Sequence, residues 1–276
     1  MRKKTLLIIG MHRSGTSLLT QWLQRCGLAI GEELMIANSG NEQGYFEDMD
    51  FVRIHEDILF HQGLPSTGLT DKPLPVLRRT DKEMIRNLLE TKSLRHTQWA
   101  WKDPRTCLFL PVYRELVPEA DYLVIHRDFR FCVYSLINRM IKDKKAEYLR
   151  SGKFKASLRW KWYKRKKIAG ELFAAHTEEY LKVWIRYNKE ILQQIELLGA
   201  ERCPVLNYQT LLSIDGKLFD ILTSKWGYRL DYIPFREVYS KELMSPQASI
   251  DTYIHDKKLV EEAAALTARL NELALR

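Results

Sequence analysis

The chain has 276 residues, 45% hydrophobic and 29% charged, which is long enough for one sizeable core or for a domain with an inserted piece. No apolar run reaches membrane-spanning length, and four cysteines without metal-like spacing argue against a structural zinc site. The net charge of +9 belongs to one stretch: Arg139 to Lys167 holds 13 Lys/Arg and 2 acids, a local +11 that leaves the rest of the chain at −2.

The N-terminal MRKKTLLIIG has too short an apolar run for a signal peptide, so a cytosolic, reducing location is expected, with the cysteines as small buried thiols. Thr5 to Ile9 is branched and apolar and reads as a buried strand. Gly10 to Gly15 is a tight loop with a glycine at each end. From Thr16 an amphipathic run (Leu18, Leu19, Trp22, Leu23, Cys26) predicts a helix stopped at Gly27. Strand, glycine loop and helix together aim backbone N–H groups and a helix N-terminus at an anion.

Residues 28–47 read as loop, delivering Tyr45-Phe46-Glu47-Asp48 to a helix through Phe51, Ile54 and Ile58. Thr80-Asp81-Lys82-Glu83 predicts a capped helix to about Leu94. Trp99 to Lys102 is a short strand stopped by Asp103-Pro104, followed by a helix to Leu116. Tyr122 to Ile125 is a buried strand running into His126-Arg127-Asp128 and a helix with Val133, Tyr134, Ile137 and Met140. Residues 141–177 are basic. Helices are expected over 178–198 and 215–226, a late strand over 204–207, irregular chain over 229–255, and a terminal helix over 258–275. The heptad-like spacing of Leu259, Ala263, Leu266, Leu270 and Leu273 suits packing on its own domain, with a homodimer seam as the less common alternative. Strands alternating with helices make an α/β fold with a parallel sheet, whose ligands bind beyond the carboxyl ends of the strands. Arg13–Ser17, Lys102–Arg105 and Arg127–Arg130 each follow a strand, so all three should meet at one edge.

The loop matches G-x-x-x-x-G-K-[ST] except at the lysine, where Thr16 stands. With no clear metal-holding acid after a strand, ATP hydrolysis or kinase chemistry is poorly supported. Arg13 puts a permanent cation earlier in the loop, and Ser14, Thr16 and Ser17 add hydroxyls at the helix start. The ordinary reading is a strand-to-helix turn with an incidental arginine.

Arg13-Ser14-Gly15-Thr16-Ser17 resembles the 5′-phosphosulfate loop of the P-loop-like sulfotransferase family. Arg127, with Ser135 eight residues on, resembles that family's 3′-phosphate element. The arginine in the basic position and Trp101-Lys102-Asp103-Pro104 look most like the bacterial and tyrosylprotein branches. The resemblance covers the chain through Ser135 and resumes thinly after Tyr180. It implies a P-loop-NTPase-like three-layer fold with a central parallel sheet covered by helices, spanning 1–276 as one domain with a basic, aromatic-rich insertion or lid at about 139–177. It implies 3′-phosphoadenosine 5′-phosphosulfate as donor, held by Arg13, Ser14, Gly15, Thr16, Ser17, Arg127 and Ser135. Tyr208 would lie near the adenine and Lys241 in a closing loop. Glu47 is the expected base, with Asp48 and His55 as rivals, and Arg13 and Lys102 are expected to carry transition-state charge. Glu47 read by itself is equally a helix N-terminal acid, and Arg127 by itself a surface partner of Asp128.

The departures are the arginine for lysine and the lack of the glycine-rich stretch by which cytosolic members hold the 3′-phosphate. The acceptor is expected to bear a hydroxyl, on a carbohydrate, a lipid-linked glycan or another biomolecule, and no metal is expected to be needed. Lys153 to Trp162 alternates cations with apolar side chains, as a ribbon would, yet Phe154, Leu158 and Trp162 also share a helical face. This segment would recruit an acidic or membrane-bound acceptor, with nucleic acid a poorer fit; acceptor kinetics independent of salt would count against that role. The alternatives are a nucleotide-dependent kinase with a deviant loop, and a non-catalytic module binding membranes or polyanions.

Overall fold

The computed structural model describes residues 3–36, 44–73, 77–150, 157, 160, 164–239 and 249–276. Its centre is a parallel sheet of β1 (Lys4–Ile9), β2 (Gln98–Lys102), β3 (Asp121–His126) and β4 (Val205–Asn207), in the order β2-β1-β3-β4. Alternate residues of each strand enter opposite cores. Leu7, Ile9, Trp99, Trp101, Tyr122 and Val124 face one side, and Leu6, Ile8, Ala100, Leu123 and Ile125 the other. A sheet covered on both faces needs near-continuous apolar strands, which is why the strands read so plainly.

On the second face lie α1 (Thr16–Arg25) and α7 (Leu211–Asp220), the latter continuing into a wider turn over Ile221–Lys225. The first face carries α2 (Met49–His61), α3 (Arg79–Arg95), α4 (Leu110–Leu116), α5 (Phe129–Arg150), α6 (Arg165–Leu198) and α8 (Lys257–Leu273). The fold is thus α/β, with helices in layers on both sides of the sheet.

Several boundaries differ from expectation. The third helix begins at Arg79, one residue before the predicted capping box. Its N-terminal anchor is the Asp81 carboxylate, which accepts the Arg78 N–H at 3.0 Å. α6 begins at Arg165 rather than Glu178, and α7 at Leu211 rather than Asp215. The described flanks of the basic stretch are the outer ends of α5 and α6, packed along each other with Tyr134 stacked on Phe173 at 5.6 Å. Lys142, Lys144, Lys145, Arg150 and Lys164 to Lys167 are all exposed there, while Trp160 is buried against Tyr148. Most of Lys153 to Trp162 lies outside the described residues.

α6 ends at Gly199, whose φ of 77° lets its N–H return to the Ile195 carbonyl at 2.8 Å. On α8, Ala263 and Leu270 are buried and Leu259, Leu266 and Leu273 pack against the same core, so the apolar face is used within the chain. All four cysteines are buried free thiols. No helix among the described residues is long and apolar enough to cross a membrane.

His126 closes β3 with its ring buried and neither nitrogen partnered among the described residues. Burial pushes its pKa down to about 4. The unfolded chain therefore takes up a proton near pH 6.5 that the folded chain refuses until about pH 4. This contribution leaves stability intact above pH 6.5 and lowers it by about 3 kcal/mol as pH falls to 4. Chemical denaturation of wild type and His126→Leu across that range should show the difference between them changing by this amount; a constant difference would contradict it.

Candidate functional site

The carboxyl ends of the strands lie side by side. Ile8 is in register with Lys102, Ile9 with Val124, and His126 with Asn207. The loop after β1, Lys102, Arg127 and Tyr208 therefore share one edge.

The loop from Gly10 to Gly15 is shaped by what a side chain would strike. A Cβ on Gly10 would lie 2.4 Å from the Ile125 carbonyl oxygen. One on Gly15 would lie 2.2 Å from the Tyr208 ring, and Gly15 has φ +102°. Arg13 itself has φ 69°. Phe46, at φ 54°, is the other non-glycine residue in this region among those described. Such strain costs on the order of 1–3 kcal/mol and is concentrated where function fixes a backbone. Here it turns Arg13 inward, so that Nε donates to Ser135 Oγ at 2.8 Å. Burial, then the charges of Arg139 and Arg127, lower the Arg13 pKa from its ordinary value. α1 starts with no capping side chain and no acid in its first turn. Ser14 Oγ is buried without a partner among the described residues.

Arg127 is not the surface partner of Asp128. It is buried, with its guanidinium 4.6 Å from the Tyr208 ring centroid and 4.9 Å from that of Phe131. Its backbone carbonyl accepts from Trp184 Nε1 at 3.3 Å, and its Nη2 is buried with no partner among the described residues. Asp128 pairs instead with Arg130, at 3.9 Å. Ser135 thus bonds to the loop arginine, and the two expected phosphate sites touch through it.

Lys102 is buried. Its ammonium donates to Glu47 Oε1 at 2.7 Å, to the Tyr45 carbonyl, and to Ser17 Oγ at 3.3 Å. The turn at Phe46 brings the Tyr45 carbonyl and the Glu47 carboxylate to the same nitrogen. Burial pushes the Glu47 pKa up; Lys102 and Arg105 oppose it, and Asp103 adds to it.

The rival bases are otherwise engaged. Asp48 caps α2 by accepting the Asp50 N–H at 3.0 Å and holds the Lys92 ammonium at 2.6 Å. His55 is fully buried and stacked on Phe109. Its Nδ1 lies 2.8 Å from Asp103 Oδ2 and its Nε2 2.6 Å from the Tyr113 hydroxyl. Burial would raise the Asp103 pKa, but Arg105 and His55 outweigh it and hold the carboxylate well below its ordinary range. With Asp103 ionised, Nδ1–H donates to it and Nε2 accepts from Tyr113, so neither nitrogen is available.

Arg105 is the residue that sequence reasoning left without a role. It is buried, with Asp103 at 3.1 Å, Glu56 at 3.0 Å and Glu47 at 3.7 Å. Its position in Lys102-Asp103-Pro104-Arg105 was the available signal. Glu32, Asp48 and Asp50 are close enough together to suggest a cation site, but Lys92 fills it. Lys241 and residues 37–43 of the stretch before Tyr45 lie outside the described residues.

The edge therefore carries cations facing a glycine loop, the buried carboxylates of Glu47 and Asp103, and, among the described residues, unpartnered donors at Ser14 and Arg127. Such a set suits a phosphorylated or sulfated ligand. A family model described as "Sulfotransferase family" matches residues 6–214. No curated protein sequence matches. Among solved structures, the chain is similar to the sulfotransferase domain of the Synechococcus PCC 7002 olefin synthase at 15% identity, covering 96% of this chain and 95% of that one, with TM-score 0.48. It is similar to the sulfotransferase domain of the curacin biosynthetic pathway at 14% identity, covering 98% and 99%, with TM-score 0.47. It is also similar to sulfotransferase STF1 of Mycobacterium tuberculosis H37Rv at 14% identity, covering 96% and 77%, with TM-score 0.44.

Proposed function

We propose, from the premise that this chain belongs to the sulfotransferase family, that it moves a sulfuryl group from 3′-phosphoadenosine 5′-phosphosulfate to an acceptor hydroxyl by in-line transfer. The observation that carries the reading is the Lys102 ammonium, which touches a hydroxyl in the first turn of α1 (Ser17) and the buried carboxylate Glu47 at once. One cation then stands between the donor's anchor and a base for the acceptor, where the transferring group must pass.

The residues present fit the donor. Among the described residues Ser14 Oγ and Arg127 Nη2 are buried without a partner and can donate to an anion, and Gly10 and Gly15 let the loop pack against Ile125 and Tyr208 where a Cβ would clash. The loop from Arg13 to Ser17 would hold the 5′-phosphosulfate, Arg127 and Ser135 the 3′-phosphate, and Tyr208 would lie along the nucleotide base. The donor supplies the activated sulfuryl group.

Glu47 accepts the acceptor's hydroxyl proton, a role its raised pKa suits. Lys102 and Arg13 neutralise charge growing on the sulfuryl oxygens and on the leaving phosphate oxygen. Arg13 acts by charge and hydrogen bonds alone, since a guanidinium does not give up its proton at neutral pH. Arg105 and Asp103 are positioning residues that fix Glu47 and the turn after β2.

The test is transfer of a labelled sulfuryl group from the donor to a panel of hydroxyl acceptors, without added metal. Glu47→Gln, which keeps shape and a hydrogen-bond acceptor, should lower kcat by about 10²–10⁴-fold with donor KM little changed. Wild-type turnover in that variant would remove Glu47 from the role of base.

A further inference from the structure

At the carboxyl ends of the strands, His12, Ser14, His126 and Arg127 carry buried nitrogen or oxygen atoms with no partner among the described residues. Ser14 and Arg127 have the donor nucleotide to answer them. The other two are histidines in different surroundings. Burial alone acts on the His126 ring, whereas the charges of Arg105, Asp103 and Lys102 all act on His12. His12 therefore lies in the charged centre, yet has nothing assigned to it.

The loop places it there. His12 precedes Arg13, whose left-handed backbone sends the guanidinium to Ser135 on α5. The His12 ring instead meets Tyr187 on α6 edge-on, with centroids 5.9 Å apart. The Tyr187 hydroxyl donates to the Gly68 carbonyl at 2.8 Å, and a Cβ on Gly68 would lie 2.8 Å from Arg105 Cγ. One packed wall thus runs from His12 through Tyr187 and Gly68 to Arg105, in the turn that begins at Lys102. The ring is half-buried, but Nε2 itself is out of solvent. A buried nitrogen without a partner is costly, and a ligand that bonds to it removes the cost. Burial, Arg105, Lys102 and Arg139, opposed by Asp103, push the ring's pKa down to about 3. The imidazole is then neutral at physiological pH and carries one N–H.

A sulfuryl group in transfer spreads charge over three oxygens, as a phosphoryl group does. Lys102 and Arg13 supply two cations to it. His12 adjoins both, next to Arg13 in the chain and joined to the Lys102 turn through the wall.

We propose that His12 is a further catalytic residue, a neutral imidazole whose Nε2–H donates to an oxygen of the sulfuryl group in the bound donor and in the transition state. The inference rests on the sulfotransferase reading and adds a hydrogen-bond donor to it. In the step, the sulfur–oxygen bond to the 5′-phosphate breaks and its electron pair leaves on the phosphate oxygen. The acceptor oxygen bonds to sulfur, and its proton passes to Glu47. His12 keeps its own proton throughout.

Two nucleotides that differ by the sulfuryl group test it by calorimetry on the full chain without metal: 3′-phosphoadenosine 5′-phosphosulfate and adenosine 3′,5′-bisphosphate. His12→Leu should weaken binding of the phosphosulfate about tenfold or more and leave that of the bisphosphate at its wild-type value. His12→Gln, whose amide N–H can stand in for Nε2–H without titrating, should keep part of the difference. Nitrogen NMR of histidine-labelled protein, with His12 identified by its loss in His12→Gln, should show the neutral Nε2–H tautomer. That nitrogen should shift with the phosphosulfate far more than with the bisphosphate. An unchanged ratio of the two affinities in His12→Leu would overturn the proposal. Equal weakening of both nucleotides would do the same, making His12 a residue that shapes the loop. So would a bare Nε2, or a doubly protonated ring, in the phosphosulfate complex. Failure of wild type to bind either nucleotide would instead overturn the sulfotransferase reading on which the inference stands.

Discussion

Arg13→Ala is expected to lower sulfuryl transfer by about 10³-fold or more, seen in kcat under saturating donor. Removing one preorganised donor from a developing charge costs about 10²–10³-fold, and removing an arginine that answers transferring charge costs about 10³–10⁵-fold. Arg13 is held by a left-handed backbone at φ 69° and by Ser135, so its position is set before any ligand arrives. Arg13→Lys should recover only part of the loss, because an ammonium cannot donate to Ser135 and to an anion with the same fork. The variant should remain folded, since Arg13 lies at the edge of the sheet outside both apolar cores. Wild-type kcat in Arg13→Ala would show that transition-state charge is carried elsewhere.

Lys92→Met is expected to cost about 3–5 kcal/mol of stability, the usual effect of removing one partner from a buried ion pair. Lys92 reaches from α3 to Glu32, to Asp48 at 2.6 Å and to Asp50 at 2.8 Å. Asp50 and Glu32 are partly exposed and water would screen them, so most of the loss comes from Asp48, which is as buried as Lys92. Burial, opposed by the three carboxylates, leaves the Lys92 pKa above its ordinary value, so the ion pair persists across the neutral range. Asp48 follows Glu47 directly, so the latch also fixes the entry of α2 beneath the proposed base. Urea unfolding should show the lost stability, and Lys92→Met combined with Asp48→Asn should recover much of it. An unchanged unfolding midpoint in the single variant would contradict the role of the latch.

Much of this arrangement is legible in the sequence because parallel strands buried on two faces must be apolar throughout. Thr5 to Ile9 and Tyr122 to Ile125 announce themselves in that way, and the polar residues that follow them fall at one edge by the rule of the fold. The start of α6 is hidden because Arg165 to Lys167 are exposed and charged. Its apolar stripe becomes continuous only from Phe173.

Glu47, Asp48 and His55 are indistinguishable by type and spacing. Their separation depends on Lys92, 44 residues from Asp48, and on Asp103 and Tyr113, 48 and 58 residues from His55. The burial of Arg127 is equally non-local, since Tyr208 arrives from the end of β4.

The most direct measurement is a calorimetric titration of the purified protein, in chelator, with adenosine 3′,5′-bisphosphate and separately with ATP, and with ATP–magnesium in chelator-free buffer. Micromolar or tighter binding of the bisphosphate without metal is the expected result, weakened at least tenfold in Arg127→Ala and far exceeding that of ATP in either condition. Binding of ATP–magnesium in preference to the bisphosphate would contradict the proposed function and favour a kinase. Binding of neither nucleotide would leave the loop from Gly10 to Ser17 a turn without a phosphosulfate to hold.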